Sequence, residues 1–516
     1  MWDFCQIIGD GPGTRILQDR DQLPGACYFP EAKLNFAANL LRQKDDSPAL
    51  IFRGETGVER ALTGQQLYDL VSQLIQAMTN AGIKAGDRVA GYLPNIPEAV
   101  AAMLATASLG AVWSSCSPDF GIRGVLDRFG QINPKLLFVA DQYFYGGKSI
   151  NYFDRIDSVS AELKSIKEVI VIPYDPNRLS TKCSPKTKRK AEFIDPNDIK
   201  EIKFERFDFN HPLYILFSSG TTGTPKCIVH GAGGTLIQHL KDHLLQTDVK
   251  PGDRVFYFTT LGWMMWNWLV SGLAARATIL LYDGSPFFPN GNSLFDFAGD
   301  SKMTHFGTSA KYIDALKNER LQPQNSHDLS KLRTLMSTGS PLMPESFDFI
   351  YDSIKRDICV SSISGGTDIV GCFVGGNPIG PVLRGEIQAT CLGMDVAVFN
   401  ESGQPVIEEV GELVCCSPFP SMPIGFWDDP NDERYEAAYF ERFPKVWCHG
   451  DWALLTESGG LIIQGRSDAT LNPGGVRIGT AEIYGVVEQF DGIEEAIAVG
   501  QEWRGDSRII LFVQLQ

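Results

Sequence analysis

The most informative stretch of the sequence reads Ser218-Ser219-Gly220-Thr221-Thr222-Gly223-Thr224-Pro225-Lys226. Its Gly, Ser and Thr residues let the backbone turn tightly and present consecutive N–H groups, the hydroxyls add donors, and Lys226 adds a positive charge. Apolar runs typical of buried strands lie on either side, at residues 213–217 and 227–229. The stretch therefore predicts a loop between two buried strands that cradles a phosphate group.

Two other interpretations of this stretch are weaker. A Gly/Ser/Thr-rich segment can be a plain surface loop, but such a linker does not usually lie between two buried strands and end in Pro-Lys. The Walker A loop of P-loop kinases needs Gly before the Lys and Ser or Thr after it. Pro225 and Cys227 occupy those two positions, which excludes a P-loop kinase.

The composition of the 516-residue chain is that of a globular protein with a sizeable core. Apolar residues make up 43% and charged residues 21%, which excludes disordered, collagenous and coiled-coil classes. The 46 Lys and Arg against 62 Asp and Glu give a net charge of −16, which argues against a general affinity for nucleic acid or anionic membranes. No apolar run reaches the roughly 20 residues that span a bilayer.

The first residues and the cysteines indicate the compartment. The sequence Met1-Trp2-Asp3-Phe4-Cys5 lacks the basic and apolar regions of a secretion signal. The eleven cysteines include no Cys-x-x-Cys pair, which favours reduced thiols over a disulfide framework or a zinc site. Both features predict a cytoplasmic protein. Trp2 to Cys5 also has the pattern of the interior of an amphipathic helix.

Apolar runs and helical patterns alternate through the first three quarters of the chain. The runs lie at residues 88–93, 112–115, 136–140, 169–172, 254–258, 279–282, 333–336 and 358–361. Short apolar strands separated by helices of about ten or more residues predict an α/β fold with parallel sheets covered on both faces. Thr63, followed three residues later by Gln66, predicts a capping box at the start of one helix.

From about residue 380 the pattern changes to short apolar runs separated by Gly, Pro and Ser turns. This pattern of short apolar runs and turns predicts a small antiparallel β subdomain. We therefore expect a large N-terminal domain over residues 1–467, with two parallel-rich βαβ-type sheets and the β subdomain at about residues 380–467. Residues 468–516 are expected to begin a small α+β C-terminal domain.

The phosphate stretch resembles the signature of the adenylate-forming superfamily, which includes acyl-CoA synthetases, luciferases and peptide-synthetase adenylation domains. Ser364-Gly365-Gly366-Thr367-Asp368 is similar to the aromatic-Gly-x-Thr-Glu pattern of that superfamily. The resemblance implies catalytic roles for Lys226 and for Thr367, which would donate to the α-phosphate, and a Mg²⁺-holding role for Asp368. Gly339-Ser340-Pro341 lies where relatives line the adenine pocket, although a plain strand-to-helix turn explains it equally well.

Two elements further along the chain continue the resemblance. Cys448-His449-Gly450-Asp451 resembles the Thr-Gly-Asp element, whose carboxylate accepts hydrogen bonds from both ribose hydroxyls. His449 replaces the usual Thr, and we assign it no role. Gly465-Arg466-Ser467-Asp468 matches the element that leads into the C-terminal domain. It implies that Arg466 contacts ribose and phosphate and that Asp468 is the hinge.

The segment at residues 472–483 extends this match and implies the ligands. Gly475 would let a cofactor arm pass close to the backbone, and Arg477 would reach the terminal phosphates. The resemblance therefore implies ATP and Mg²⁺ as cofactors and CoA as co-substrate, with small molecules rather than nucleic acid or membrane as partners.

Several segments narrow the resemblance to one branch. Residues 29–41 and 425–483 resemble acetyl-CoA-synthetase-like enzymes, in which a Trp two residues before the Thr shortens the acid pocket. Gly365 stands at that position, which implies room for an acid longer by on the order of a few carbons. Residues 113–121 and 262–268 are similar to members of the branch that activate acetoacetate. They make Trp263, Met264 and Trp266 candidate walls of the acid pocket, whereas Trp268 is expected in the core.

Relatives continue to a Pro-x-Thr-x-Ser-Gly-Lys-type loop whose Lys is needed for adenylation, and they carry a further N-terminal segment. We therefore expect a chain truncated at both ends, with little or no adenylation activity of its own. The leading function is an ATP-dependent ligase that forms acetoacetyl-CoA, AMP and pyrophosphate. The alternatives are a catalytically impaired nucleotide-binding fragment, a synthetase for another short-chain acid, and adenylation with a non-CoA acceptor. The acetyl-CoA-synthetase-like segments count against the last of these.

Overall fold

The computed structural model describes residues 1–177, 187–218 and 224–468. Beyond Asp468 it describes residues 470, 471, 473, 476, 478, 479, 483, 486, 487, 490, 492–503 and 506–515. The strands in these residues form two large sheets and several small ones. The predicted α/β class with parallel-rich sheets is confirmed.

The eight-stranded sheet is parallel over most of its width. In spatial order its strands are Thr187–Arg189, Glu168–Ile172, Leu136–Ala140, Arg88–Tyr92, Val112–Cys116, Pro212–Ser218, Lys226–Gly231 and Gly425–Phe426. The first six are mutually parallel, and the last two run antiparallel to their neighbours. The direction changes at the phosphate stretch because a short loop can join only antiparallel neighbours.

The seven-stranded sheet has the same character. In spatial order its strands are Cys359–Ser362, Thr334–Thr338, His305–Ser309, Arg254–Tyr257, Thr278–Asp283, Pro48–Gly54 and Glu59–Thr63. All pairs are parallel except the last. Its interior strands are almost wholly buried, as expected of a sheet covered on both faces.

Helices cover both large sheets. The α-helices are Phe36–Leu40, Gly64–Asn80, Pro97–Ser108, Ile122–Ile132, Phe153–Glu162, Lys190–Phe193, Ala232–Lys241, Met264–Ser271, Ser293–Asp300, Ala310–Asn318, Pro323–Ser326, Pro344–Phe349 and Glu433–Tyr439. Two π-helical turns, Asp242–Gln246 and Ile350–Ile354, and two 3₁₀ turns, Gly272–Ala275 and Thr367–Ile369, extend or join them. The predicted capping box is present at Thr63 and Gln66. None of the described helices has the length and apolar character needed to cross a bilayer.

The last quarter of the described chain is antiparallel β structure, as predicted. A three-stranded sheet contains Ser364–Gly366, Gly371–Gly375 and Ala389–Thr390. A four-stranded sheet contains Val396–Phe399, Val410–Cys415, Trp447–Leu455 and Leu461–Arg466. Strand pairs elsewhere are Leu17–Gln18 with Cys27–Tyr28, Lys33–Leu34 with Phe207–Asp208, Tyr143–Tyr145 with Lys148–Ile150, Thr470–Leu471 with Ile478–Gly479, and Ile493–Trp503 with Asp506–Leu515.

The expectation of an amphipathic helix at the start of the chain is wrong. The Cys5 N–H bonds the carbonyl of Met1, which closes one helical turn. Gln6 then takes a positive φ of 51°, a left-handed conformation that cannot continue the helix. Trp2 is nevertheless buried, and its ring packs 5.5 Å from that of Phe29.

Candidate active site

A β-hairpin of the eight-stranded sheet carries the phosphate stretch. Its strands, Pro212–Ser218 and Lys226–Gly231, are antiparallel, and Ser218 lies directly opposite Lys226. Ser218 is buried, and the Lys226 side chain is about one-fifth exposed. The remaining predicted donors of the stretch lie outside the described residues: Ser219, Gly220, Thr221, Thr222 and Gly223.

Lys226 lies next to the predicted metal-holding carboxylate. Its Nζ is 3.5 Å from Oδ1 of Asp368, whose side chain is 2% exposed. The hydroxyl of Tyr439 donates to the same Oδ1 at 2.5 Å, and Nζ of Lys226 lies 4.9 Å from the centre of the Tyr439 ring. The fold therefore brings together three groups from distant parts of the chain.

Two buried histidines, His449 and His230, lie near the turn that carries Thr367 and Asp368. Gly366 precedes it in an extended conformation, and a Cβ atom there would lie 3.2 Å from Cε1 of His449. His230, on the Lys226–Gly231 strand, is close enough to the turn for the Asp368 charge to act on its ring. Burial lowers the pKa of His230 to about 4, although the Asp368 charge opposes this. The His230 ring is therefore neutral near pH 7.

Asp451 and Arg466 face each other on neighbouring strands of the four-stranded sheet. Nη1 of Arg466 donates to Oδ1 of Asp451 at 2.8 Å, and Nη2 is 2.5 Å from Oδ2 of Asp468. Although burial opposes it, these carboxylates raise the pKa of Arg466, and Asp368 adds to the effect. His449 approaches Asp451 from the other side, with Nε2 3.6 Å from Oδ2. The predicted ribose, phosphate and hinge residues are thus in direct contact.

Glu412 is a further residue of this region that sequence reasoning missed. Its carboxylate is fully buried on the Val410–Cys415 strand and pairs with Arg442. Oε1 accepts from the Gly450 N–H at 2.9 Å and from Oγ of Ser467 at 2.7 Å. Glu412 therefore fixes the turns on both sides of the Asp451–Arg466 pair. No local motif marks Glu412 or Tyr439, because their partners lie far away in the sequence.

The Gly339-Ser340-Pro341 turn follows the Thr334–Thr338 strand. Gly339 has a positive φ of 92°, which glycine adopts without strain. The hydroxyl of Thr338 donates to the Ile363 carbonyl at 2.8 Å. That bond ties the predicted adenine-lining turn to the segment that leads into Thr367 and Asp368.

Gly365 lies on the Ser364–Gly366 strand, close to the backbone of its neighbour. A Cβ atom there would lie 2.2 Å from the carbonyl oxygen of Gly371 and 2.6 Å from Cα of Cys372. The backbone of the adjacent Gly371–Gly375 strand therefore occupies the space where a side chain would begin. The close approach of two strands accounts for this glycine, and a longer acid pocket stays a prediction.

The three candidate pocket walls differ in exposure. Trp263 is 40% exposed, whereas Met264 is 9% exposed. Trp266 has no exposed surface, and its Nε1 donates to Oδ1 of Asn95 at 2.9 Å. Of the three, Trp263 therefore offers the largest surface to a ligand. Trp268 is buried.

Asp368 is the predicted ligand of a cation beside Lys226. The described residues contain no group of three or more His, Cys, Asp or Glu side chains arranged to hold a metal ion. Mg²⁺ at a nucleotide site takes one or two carboxylates and completes its coordination with phosphate oxygens and water. A single buried carboxylate fits that donor set. Two predicted ligand-binding residues, Gly475 and Arg477, lie outside the described residues.

Known proteins share this architecture. Residues 36–423 match the model of the AMP-binding enzyme family. The chain is 56% identical to the acetoacetyl-coenzyme A synthetase of Rhizobium meliloti (strain 1021), over 100% of this chain and 79% of that protein. It is 47% identical to acetoacetyl-CoA synthetase of Gallus gallus, over 95% and 74%.

A solved structure agrees with these matches. The structure of acetoacetyl-CoA synthetase from Streptomyces lividans superimposes with a TM-score of 0.87 at 44% identity, and the match covers 100% of this chain and 79% of that one. The resemblance to the adenylate-forming superfamily is confirmed. The chain belongs to the AMP-binding enzyme family, within the group of acetoacetyl-CoA synthetases.

Proposed function

We propose that this protein is an ATP-dependent ligase that activates acetoacetate and transfers it to CoA. The main observation that supports this proposal is that Lys226 and Asp368 pair within one cluster that also contains Asp451 and Arg466. Such a cluster offers positive charge for phosphates beside a carboxylate acceptor for ribose. The identity to acetoacetyl-CoA synthetases supports acetoacetate as the acid.

In the first step the acetoacetate carboxylate attacks the α-phosphorus of ATP, and pyrophosphate leaves with the electrons of the broken P–O bond. Lys226 and Thr367 stabilise the charge that develops on the phosphoryl oxygens. Mg²⁺, when bound through Asp368, would neutralise further phosphate charge. Asp451 holds the ribose hydroxyls, and Arg466 holds ribose and phosphate.

In the second step the CoA sulfur attacks the carbonyl carbon of the acyl-adenylate. The C–S bond forms, the C–O bond between the carbonyl carbon and AMP breaks, AMP leaves with the electrons of that bond, and the thiol proton passes to solvent. The protein supplies no covalent nucleophile. We also propose that Asp468 is the hinge between an AMP-binding domain at residues 1–467 and a C-terminal domain that begins at residue 468. We further propose that the protein acts in the cytoplasm.

The test measures AMP formation by the purified protein with ATP, Mg²⁺ and CoA. We expect acetoacetate to exceed acetate and 3-hydroxybutyrate in kcat/KM by at least about tenfold, a discrimination that one or two pocket contacts can supply. Asp451→Asn should raise KM for ATP because it removes a charged acceptor from the ribose site. Asp395→Asn, on the same subdomain, is the control.

Two results would count against the proposal. Equal turnover of the three acids would remove acetoacetate as the substrate. Binding of ATP or an acyl-adenylate mimic without any turnover would favour the alternative of a nucleotide-binding protein without ligase activity.

A further inference from the structure

We propose that Tyr439 is a positioning residue for the phosphate and metal groups of the site. This inference rests on the proposed function. Tyr439 contacts the proposed metal ligand Asp368 and the proposed phosphate-binding Lys226. Its hydroxyl donates to Oδ1 of Asp368 at 2.5 Å, and the Lys226 ammonium lies 4.9 Å from the centre of its ring. It belongs to the β subdomain, whereas Lys226 belongs to the eight-stranded sheet. Tyr439 thus joins the two parts of the site.

Aromatic packing fixes the position of the Tyr439 ring. The ring stacks on Trp447 with centroids 3.9 Å apart and an interplanar angle of 14°, and it meets Phe426 edge-on at 5.8 Å. Tyr439 is 2% exposed, and Trp447 is fully buried. Such aromatic contacts hold a ring at low conformational freedom. Because Trp447 begins the strand that carries Asp451, the same packing relates Tyr439 to the proposed ribose site.

The buried Asp368 carboxylate needs this donor. A buried charge is costly unless it is paired and hydrogen-bonded. Lys226 and the Tyr439 hydroxyl both contact Oδ1 of Asp368. When Lys226 turns to the phosphates of ATP, the Tyr439 hydroxyl keeps its bond to Oδ1 and fixes the carboxylate plane. A carboxylate held in this way keeps one orientation for the proposed cation.

The test compares Tyr439→Phe with Tyr435→Phe. Both tyrosines lie on the Glu433–Tyr439 helix and pack on Trp447, and both are buried. The Tyr435 hydroxyl has no hydrogen-bond partner among the described residues, so its removal controls for the loss of a phenol. Phe keeps the ring and its stacking in each variant.

The readout is ATP binding measured by calorimetry at increasing Mg²⁺ concentrations. Loss of a group that orients a metal-binding side chain typically costs about 10- to 100-fold in metal affinity. We therefore expect Tyr439→Phe to raise the Mg²⁺ concentration for half-maximal enhancement of ATP binding at least about tenfold, with Mg²⁺-free ATP affinity changed much less. Tyr435→Phe should leave both unchanged.

A double-mutant cycle with Asp368→Asn distinguishes an effect of the Tyr439 hydroxyl on Asp368 from a general packing effect. The free energy of unfolding of each variant is measured by chemical denaturation without ligand. If the hydroxyl acts through Asp368, Tyr439→Phe should cost less stability in the Asp368→Asn background than in the wild type. Equal costs in both backgrounds, or an unchanged Mg²⁺ requirement, would overturn the inference while the proposed function stands. Absence of any Mg²⁺-dependent ATP binding by the wild type would overturn both.

Discussion

At the scale of single residues, Gly365 shows how a close backbone contact can restrict a position to glycine. Because a Cβ atom there would meet Gly371 and Cys372 backbone atoms at 2.2 and 2.6 Å, Gly365→Ala should force two strands apart. We expect a loss of at least about 2 kcal/mol in the free energy of unfolding, measured by chemical denaturation. Gly130→Ala is the matched control, since it lies in the Ile122–Ile132 helix with the nearest other atom at 3.8 Å. The free energy of unfolding of Gly130→Ala should rise by about 0.5–1 kcal/mol. A Gly365→Ala variant as stable as the wild type would contradict the close contact.

The same scale shows which site residues the sequence reveals. Lys226, Asp368 and Asp451 stand in short strings of Gly, Thr and Asp whose composition suits a phosphate or a ribose. Tyr439 lies in an ordinary helical pattern and Glu412 in an ordinary strand pattern. Their roles depend on partners that only the fold supplies. The close backbone contact at Gly365 also depends on the fold, because the sequence does not show which strand lies beside this glycine.

At the scale of elements, the buried Glu412 carboxylate holds together the two strands that carry Asp451 and Arg466. Glu412→Gln would leave Arg442 without its counter-charge and weaken the bonds from Gly450 and Ser467. We expect a loss of about 2 kcal/mol in the free energy of unfolding, because the buried acceptor loses its charge, whereas the Arg442 side chain is 38% exposed and water can solvate it.

Ser467→Ala, which removes one bond from the same carboxylate, should cost about 1 kcal/mol, and both variants are compared by urea denaturation. If Glu412→Gln cost no more than Ser467→Ala, the carboxylate would not be the centre of this network.

The elements themselves were largely predictable. Buried strands of parallel sheets are short apolar runs, and the sequence shows them at residues 136–140 and 279–282, inside the strands Leu136–Ala140 and Thr278–Asp283. The order of strands within each sheet was not predictable. Pro48–Gly54 pairs with Thr278–Asp283, although the two strands lie more than 200 residues apart in the sequence, and an apolar pattern alone carries no information on such pairing.

At the scale of the whole molecule, the two large sheets meet at a buried carboxylate. Asp283 ends the Thr278–Asp283 strand of the seven-stranded sheet, and its Oδ1 accepts from the N–H of Asn95 at 3.1 Å. Asn95 follows the Arg88–Tyr92 strand of the eight-stranded sheet and also donates from Nδ2 to the Tyr282 carbonyl at 3.3 Å. These hydrogen bonds therefore link the two sheets at this point.

Burial raises the pKa of Asp283 to about 7, and the nearby Glu55 and Asp119 carboxylates act in the same direction, although the Asn95 N–H and the Tyr174 hydroxyl oppose them. Between about pH 4 and pH 7 the folded chain thus keeps a proton that the unfolded chain has released. The resulting stabilisation is fully present below about pH 4 and is lost as the pH rises through about 7.

Asp283→Asn should remove this dependence, since an amide stays neutral and its oxygen still accepts from Asn95. We expect the free energy of unfolding of the wild type to fall relative to that of Asp283→Asn between pH 5 and pH 8, measured by urea denaturation at each pH. The difference isolates Asp283, because all other titrating groups are common to both proteins. Asp208→Asn, at a position 80% exposed, should follow the wild type throughout. Parallel curves for wild type and Asp283→Asn would show that the carboxyl at the meeting point of the sheets titrates alike in the folded and unfolded chain.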